Sequence, residues 1–524
     1  MPTHSAPGGR RPTLLRRHRE TSPLPGSRSV LIRNPQGPPA DGTAQPGLRG
    51  ELSTPKVAAL SLSAAAPLVA IAGTVPLSIA IGDGAGVPGT YFLATLTLLC
   101  FAVGYAAISR RIFSSGGFYT YILKSLGRPP AAAAGVLALI AYNALVIALA
   151  GGIGYFTQLV IRMLLDRNPP WWPLSFLFIA VMAVMGYRKI ELSGRVLAVL
   201  MALEISILVI LDTAIVITEG ASAFPAAALA PHTVFSGAPG VALMFAFGSF
   251  CGFEAIAVYA RETRNPERSI PRATYASVLT IGVFFCLTSW IAVGALGVDN
   301  ARAAAEEKQG LLFPGLARNY LGTTMMSVFD VLIITSAFAC LLAAHNAASR
   351  YLYTLGREGL MPSAVGRTHP SHHSPHTASL AQSTLCVAVV AAYALADLDP
   401  YRNLTTTMSG VSTLGIVLLE ALVSGAVVTY FWKDPARHWW RTVAAPSLGC
   451  AGLLAATVLI WLNFDTLAGT ESALVNSFPW LVVTLALAAA GWTLLLRLRN
   501  PASYARFGST VDDQEDAAPP PPTR

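Results

Sequence analysis

Residues 248–273 read GSFCGFEAIAVYARETRNPERSIPRA. Small and apolar residues surround one acid, Glu254, and seven positions later the chain turns to charge, from Arg261 to Arg272. An ionised side chain at the centre of a bilayer costs at least ~2.5–3.5 kcal/mol on insertion scales, so an acid in such a run marks a cavity, a partner or a pathway. The seven residues to Arg261 amount to ~10 Å of helix, which sets Glu254 well inside the membrane if the basic stretch lies at its surface. Gly248, Ser249 and Gly252 are small and weakly helical. Residues of this kind form either a helix-packing contact or the break in a helix whose free backbone groups line a polar cavity.

The rest of the chain makes lipid the solvent. Its 524 residues are 53% hydrophobic and 12% charged, with a mean hydropathy of +0.55, far from a soluble composition. The formal charge of +9 is spread over short basic clusters between apolar runs, which excludes the sustained basic face of a nucleic-acid binder. All six cysteines lie in apolar segments, so neither a disulfide framework nor a zinc site is expected. Four histidines in HPSHHSPH (369–376) lack a matching cysteine or acid cluster, and no metal is expected there. No nucleophile–base arrangement, phosphate loop or nucleotide fingerprint is present, so the reading is neither an enzyme nor a cofactor protein.

A membrane helix needs about 20 largely apolar residues. Runs of that kind fall near 57–81, 89–109, 132–160, 172–187, 195–218, 240–260, 273–297, 325–349, 377–396, 404–432, 443–463 and 478–496, twelve in all. Of the 36 Lys and Arg, 30 fall in the tails and alternate connections on one side and 6 on the other. Basic loops stay in the cytoplasm, so both termini are expected there. Residues 1–56, rich in Arg, Pro, Gly and Ser without the apolar core of a signal peptide, and residues 499–524, ending in DDQEDAAPPPPTR, read as disordered cytoplasmic tails.

Five carboxylates remain at membrane depth: Glu204 and Asp212 in span 5, Glu254 in span 6, Asp330 in span 8 and Glu420 in span 10. For Asp330 and Glu420 a hydrogen-bonded packing role is favoured. Span 1, APLVAIAGTVPLSIAIGDG, carries Pro67, Gly73, Thr74 and Pro76 inside an expected helix. An interior proline removes a backbone donor and clashes with the preceding turn, so spans 1 and 6 both read as interrupted. They are five apart, the spacing of two inverted copies: 57–218 and 240–432, followed by two further helices at 443–498.

The run FAFGSFCGFEAIAVYARETRNPERSIPRA resembles the span 6 signature of the amino acid–polyamine–organocation permease superfamily, roughly F-x-G-F-E followed by E-x-x-N-P-x-R-x-I-P-R-A. SSGGFYTYILKSLGRP (114–129) and ASRYLYTLGREGLMP (348–362) are similar to two further family segments, so the resemblance covers residues 57 to about 435. It implies an all-α integral membrane protein of twelve transmembrane helices, with the leucine-transporter-like 5+5 inverted repeat plus two extra C-terminal helices. It also implies a carrier of an amino acid or related amine in the cytoplasmic membrane, working by alternating access with the proton as coupling ion. Where relatives show a G-S/A-G triplet in span 1, this chain has only Gly73.

Carried onto this sequence, the resemblance places substrate contacts on Ala70, Ala72, Gly73 and Thr74 of span 1, on Tyr142, and on Phe247, Gly248, Ser249, Phe250 and Gly252 of span 6. Half-helix ends offer free N–H groups to a carboxylate, here around Ala72 to Thr74, and carbonyls to an ammonium, here around Phe247 to Ser249. Phe245, Phe247, Phe250 and Tyr142 are expected to cover the side chain. A carboxyl shielded from water can bind a proton on one face and release it on the other. Glu254 is the first expectation for that role and Glu204 the second. Sodium coupling through hydroxyls such as Thr335 and Ser336, an exchange carrier of another nitrogenous compound, and a membrane sensor that binds without transport remain as alternatives.

Overall fold

A chain in lipid must satisfy its backbone polar groups internally, and helices do this within one segment. The computed structural model describes residues 65–112, 117–188, 194–254, 265–372, 374–435, 437–469 and 472–508, with positions 54, 57, 62, 256 and 263. Residues 1–53 and 509–524, and most of the basic stretch 257–264, lie outside the described residues. The described elements belong to one compact unit, Leu48–Arg524.

The helices in chain order are α1 (Pro67–Ile81), α2 (Val87–Ile108), α3 (Gly117–Leu126), α4 (Arg128–Leu165), α5 (Trp171–Arg188), α6 (Gly194–Glu219), α7 (Pro239–Gly248) and α8 (Pro266–Leu296). They continue with α9 (Ala301–Lys308), α10 (Leu312–Leu321), α11 (Thr323–Arg357), α12 (His376–Leu395), α13 (Thr406–Phe431), α14 (Ala445–Leu462), α15 (Phe478–Arg499) and α16 (Pro501–Arg506). Among the described residues, ten helices are long and apolar enough to cross a membrane; α1 and α7 are shorter apolar helices. With 15 and 10 residues, these two reach only ~22 and ~15 Å of a ~30 Å hydrocarbon layer.

Helix α4 packs on α11 and α13, α2 on α8 and α14, and α1 against α7. In the most apolar window of the segment containing α13, 78% of residues are buried, against 22% for both α5 and α15. The middle of the bundle is therefore built around α13 and α4, while α5 and α15 form its rim. Ahead of α13 comes a wide turn, Pro400–Thr405, where the Asp399 carboxylate accepts from the N–H groups of Tyr401 and Arg402 at 2.8 and 2.6 Å. That cap fixes the direction in which Tyr401 leaves the backbone.

Two expectations need correction. The end of the chain is not structureless throughout: α16 follows α15, and the Arg128 guanidinium donates to Phe507 O and Ala505 O at 2.6 and 3.3 Å while lying 5.0 Å from the Tyr504 ring centroid. A cation on the last carbonyls of a helix is where the helix dipole favours it. In span 1, Val69 to Thr74 is intact helix, and the discontinuity sits at Ala66, whose φ of 44° is left-handed. Pro67 occupies the first helical position, where a missing N–H costs nothing. Pro76 lies inside α1 and the helix continues through it.

The C-terminal end of α1 is clamped. Arg302, from α9, donates to Ala80 O at 3.0 Å and Gly82 O at 2.8 Å. Beside it Asp83 is 1% exposed and accepts from Thr90 Oγ1 at 2.7 Å. Burial pushes the Asp83 carboxyl up from its ordinary 3.8 to about 6, with the Thr90 hydroxyl and the Arg302 charge offsetting part of the rise.

Candidate functional site

Helix α7 ends where Gly248, Ser249 and Gly252, residues with poor helical fit, fall within five positions. Its last carbonyls turn inward on the chain itself: Ser249 N donates to Phe245 O, Phe250 N to Phe247 O and Cys251 N to Gly248 O, all at 3.0–3.1 Å. Gly252 then takes φ 111°, which an L side chain rarely adopts. The turn brings Glu254 back over its own backbone, where Gly252 N donates to Glu254 Oε2 at 2.7 Å. Tyr142 of α4 donates to Glu254 Oε1 at 2.6 Å, and its ring stacks on Tyr351 at 5.4 Å and 19°. Tyr105 adds a 3.4 Å bond to Glu254 O. The acid is 6% exposed, and Glu420 lies close enough for the two carboxyls to interact.

The break before α1 is satisfied differently. Ala70 N reaches back to Ala66 O at 3.0 Å, and Leu68 N points at Glu204 Oε2 of α6, 3.3 Å away. Ser336 lies beside the same carboxyl. A carboxylate at a helix N-terminus meets both a free donor and the positive end of the dipole. Glu204 thus meets the start of α1 at Leu68, whereas the sequence reading expected a substrate carboxylate at Ala72 to Thr74, which lie within the continuous helix.

Between the two interrupted helices lies a cavity of about 100 Å³. Of the expected contacts, Ala70, Gly73, Thr74, Phe245, Gly248 and Ser249 line it. Ala72, Tyr142, Phe247, Phe250 and Gly252 do not, and neither carboxyl, Glu254 or Glu204, is part of the wall. Thr74 Oγ1, Ser249 Oγ and Tyr91 OH stand 3.0–3.2 Å apart in a triangle. Thr74 donates to Ala70 O and Ser249 to Phe245 O, so the Tyr91 proton serves the other two hydroxyls. The triangle ties α1, α7 and α2 together at the cavity edge. Gly248 is required by close approach: a Cβ there would stand 2.7 Å from Thr413 Oγ1.

Several wall residues escaped the sequence reading. Tyr401 donates to Gly73 O at 2.9 Å and stacks on Tyr155 at 4.7 Å and 2°. Phe156, Thr405, Ser409, Ser412, Thr413, Cys251 and Cys340 also face the cavity. Thr405 Oγ1 donates to Ala148 O at 3.1 Å, while Ser412, 1% exposed, has an Oγ with no partner among the described residues. The hydroxyl-rich run TTTMSGVST (405–413) inside an apolar span was the available signal. A larger opening of about 700 Å³ lies among α4, α12, α13 and α15 and contains none of the expected contacts.

The other acids are partnered locally or stand apart. Thr288 Oγ1 donates to Asp212 Oδ2 at 2.7 Å, and Asp330 is buried with Oδ2 unsatisfied among the described residues. Thr335 Oγ1 donates to Leu332 O at 3.0 Å, the ordinary bond to the preceding turn.

A multi-pass helical bundle in which two short helices close on a small cavity has the build of a membrane transporter. Residues 52–488 match the family described as amino acid permease, and the chain belongs to that family. It is 24% identical over 372 residues to the branched-chain amino acid permease BcaP of Bacillus subtilis, covering 68% of this chain and 76% of that one. It is also 24% identical over 418 residues to the low-affinity putrescine importer PlaP of Escherichia coli K12, covering 76% and 84%. The manganese transporter of Eremococcus coleocola shares the fold, with a TM-score of 0.58 at 11% identity over 88% of this chain and 99% of its own. The chain is a multi-pass membrane transporter and not an enzyme.

Proposed function

We propose that the chain is a secondary active transporter that moves an amino acid or related amine across the cytoplasmic membrane by alternating access, coupled to protons. In this reading α1 and α7, each with the residues that flank it, complete twelve crossings arranged as two inverted five-helix repeats plus α14 and α15, with both termini in the cytoplasm. One observation carries it: each interrupted helix that borders the cavity has a buried carboxyl bonded to its break, Glu254 at the end of α7 and Glu204 at the start of α1. Protonating either group weakens its hold on the backbone N–H it engages. A proton taken from one side thereby loosens the cavity edge that must move for substrate to pass. The substrate binds along Ala70, Gly73, Thr74, Gly248 and Ser249.

The test is uptake of labelled amino acids and amines into proteoliposomes under an imposed pH gradient, with sodium present or absent. Accumulation that follows the pH gradient is expected. Accumulation that requires sodium would make the carrier sodium-coupled, and binding without flux would make it a sensor. Glu254→Gln keeps the size of the side chain and removes its titration, so gradient-driven accumulation should fall at least tenfold while helix content and detergent stability stay close to wild type. A Glu254→Gln protein that concentrates substrate normally removes Glu254 from the coupling role.

A further inference from the structure

The relatives of this chain are named for a branched-chain amino acid and for a diamine, and the cavity itself discriminates between such solutes. Resting on the permease reading above, we propose that it selects a net-neutral α-amino acid with a very small side chain, of the size of alanine or serine, over diamines, branched-chain and aromatic amino acids. Charge decides the first exclusion. Among the described residues, no Asp, Glu, Lys, Arg or His lines the cavity. A dication such as putrescine brings two ammonium groups and no counter-charge, and burying an unpaired ion costs several kcal/mol or more. Glu254, held by Gly252 N and Tyr142, does not line the cavity and so offers no counter-charge from its observed place. Glu204 is engaged by Leu68 N. The Tyr401 face stacked on Tyr155 is closed to a cation. A zwitterion carries its own counter-charge and needs only hydroxyls, carbonyls and N–H groups around it.

The wall supplies such groups. Ser409, Ser412 and Thr413 follow each other along α13, and Ser412 Oγ is buried without a partner. Buried polar groups in native proteins are almost always paired, so a bound solute that bonds Ser412 satisfies an otherwise costly orphan. Val69, Leu149 and Met244, also in the wall, are apolar and accept a methyl or methylene.

Volume decides the second exclusion. An apolar protein cavity of about 150 Å³ takes up benzene, and this one is about 100 Å³. Alanine has as many heavy atoms as benzene and is already a close fit for the smaller space. Leucine exceeds it by half as many again, and phenylalanine has twice as many.

The full chain in proteoliposomes, under an inward proton gradient, is assayed for uptake of labelled L-alanine in competition with L-serine, L-valine, L-leucine, L-phenylalanine and putrescine. Serine is expected to compete at least tenfold better than leucine or phenylalanine, and putrescine neither to compete nor to be carried. Putrescine uptake without alanine uptake overturns the inference and leaves the carrier intact, as does leucine or phenylalanine competing as well as serine. No flux of any of these solutes overturns both the inference and the permease reading. Gly152→Ala gives a second measure. A Cβ at Gly152 meets only Thr405, at 3.6 and 3.9 Å, so the methyl fits its surroundings while narrowing the cavity. The variant should weaken valine relative to alanine at least fivefold; an unchanged ratio overturns the size argument.

Discussion

The two interrupted helices solve one problem in opposite ways. Where α7 stops, the chain satisfies itself: Glu254 folds back onto Gly252 N only two residues away, and the turn from Ser249 to Glu254 closes with its own N–H and C=O groups. Where α1 starts, the donor at Leu68 is met by Glu204, 136 residues distant on another helix. The first break is locally closed, with Tyr142 as its contact to α4; the second is a tie between α1 and α6. The turn after α7 keeps its backbone closed on itself and meets its neighbours through side chains, Tyr142 of α4 and Tyr105 of α2 on Glu254 and the Ser249 hydroxyl on Thr74 and Tyr91. A tie between helices transmits any change in its carboxyl to both of them.

This difference orders the expected effects of substitution. The largest belongs to Gly252→Val, because a β-branched side chain at φ 111° must either hold a strained backbone or open the turn. Strain of that kind costs about 3 kcal/mol, and the melting temperature in detergent should fall accordingly. A Gly252→Val protein as stable as wild type would show that the turn after α7 is not locked in the geometry described. Next comes Glu204→Ala, which leaves Leu68 N buried without an acceptor, at ~1–3 kcal/mol. Glu204→Gln retains an acceptor oxygen and should lose less than half as much. Equal losses for the two variants would mean that the carboxyl does not act through Leu68, and the contrast between the breaks would dissolve.

Much of this architecture was legible in the sequence because lipid makes composition decisive. Ten of the apolar runs became long helices at the expected places, and the small residues Gly248, Ser249 and Gly252 marked the end of α7. The start of α1 was misread for a physical reason. Proline at the first helical position and proline in the interior look alike in sequence: Pro67, Gly73, Thr74 and Pro76 read together as interruptions, whereas the helix runs unbroken from Pro67 and the discontinuity lies at Ala66. Ala66 gives no warning of a left-handed φ. The cavity wall was half visible: Gly73, Thr74 and Ser249 could be named from their own segments, whereas Tyr401 reaches Gly73 O from 328 residues away. Contacts of such separation are set by packing across the whole bundle. Tyr142, expected as a substrate contact, bonds Glu254 and does not line the cavity.

The smallest effect tests that correction most directly. If Val69 to Thr74 were an unwound stretch, Gly73 would be there for its backbone freedom, and replacing it with alanine would destabilise the protein. In a continuous helix the same change removes a poor helix former, and the new methyl meets only Val69 Cγ2 at 3.8 Å and Phe156 Cε2 at 3.9 Å, ordinary contact distances. Gly73→Ala should therefore raise stability by ~0.5–1 kcal/mol, seen as a small upward shift of the melting temperature. The sign matters more than the size. A downward shift would return the break to Gly73 and detach Glu204 from the start of α1, whereas an upward one leaves Ala66 as the hinge and Glu204 as the group that holds it.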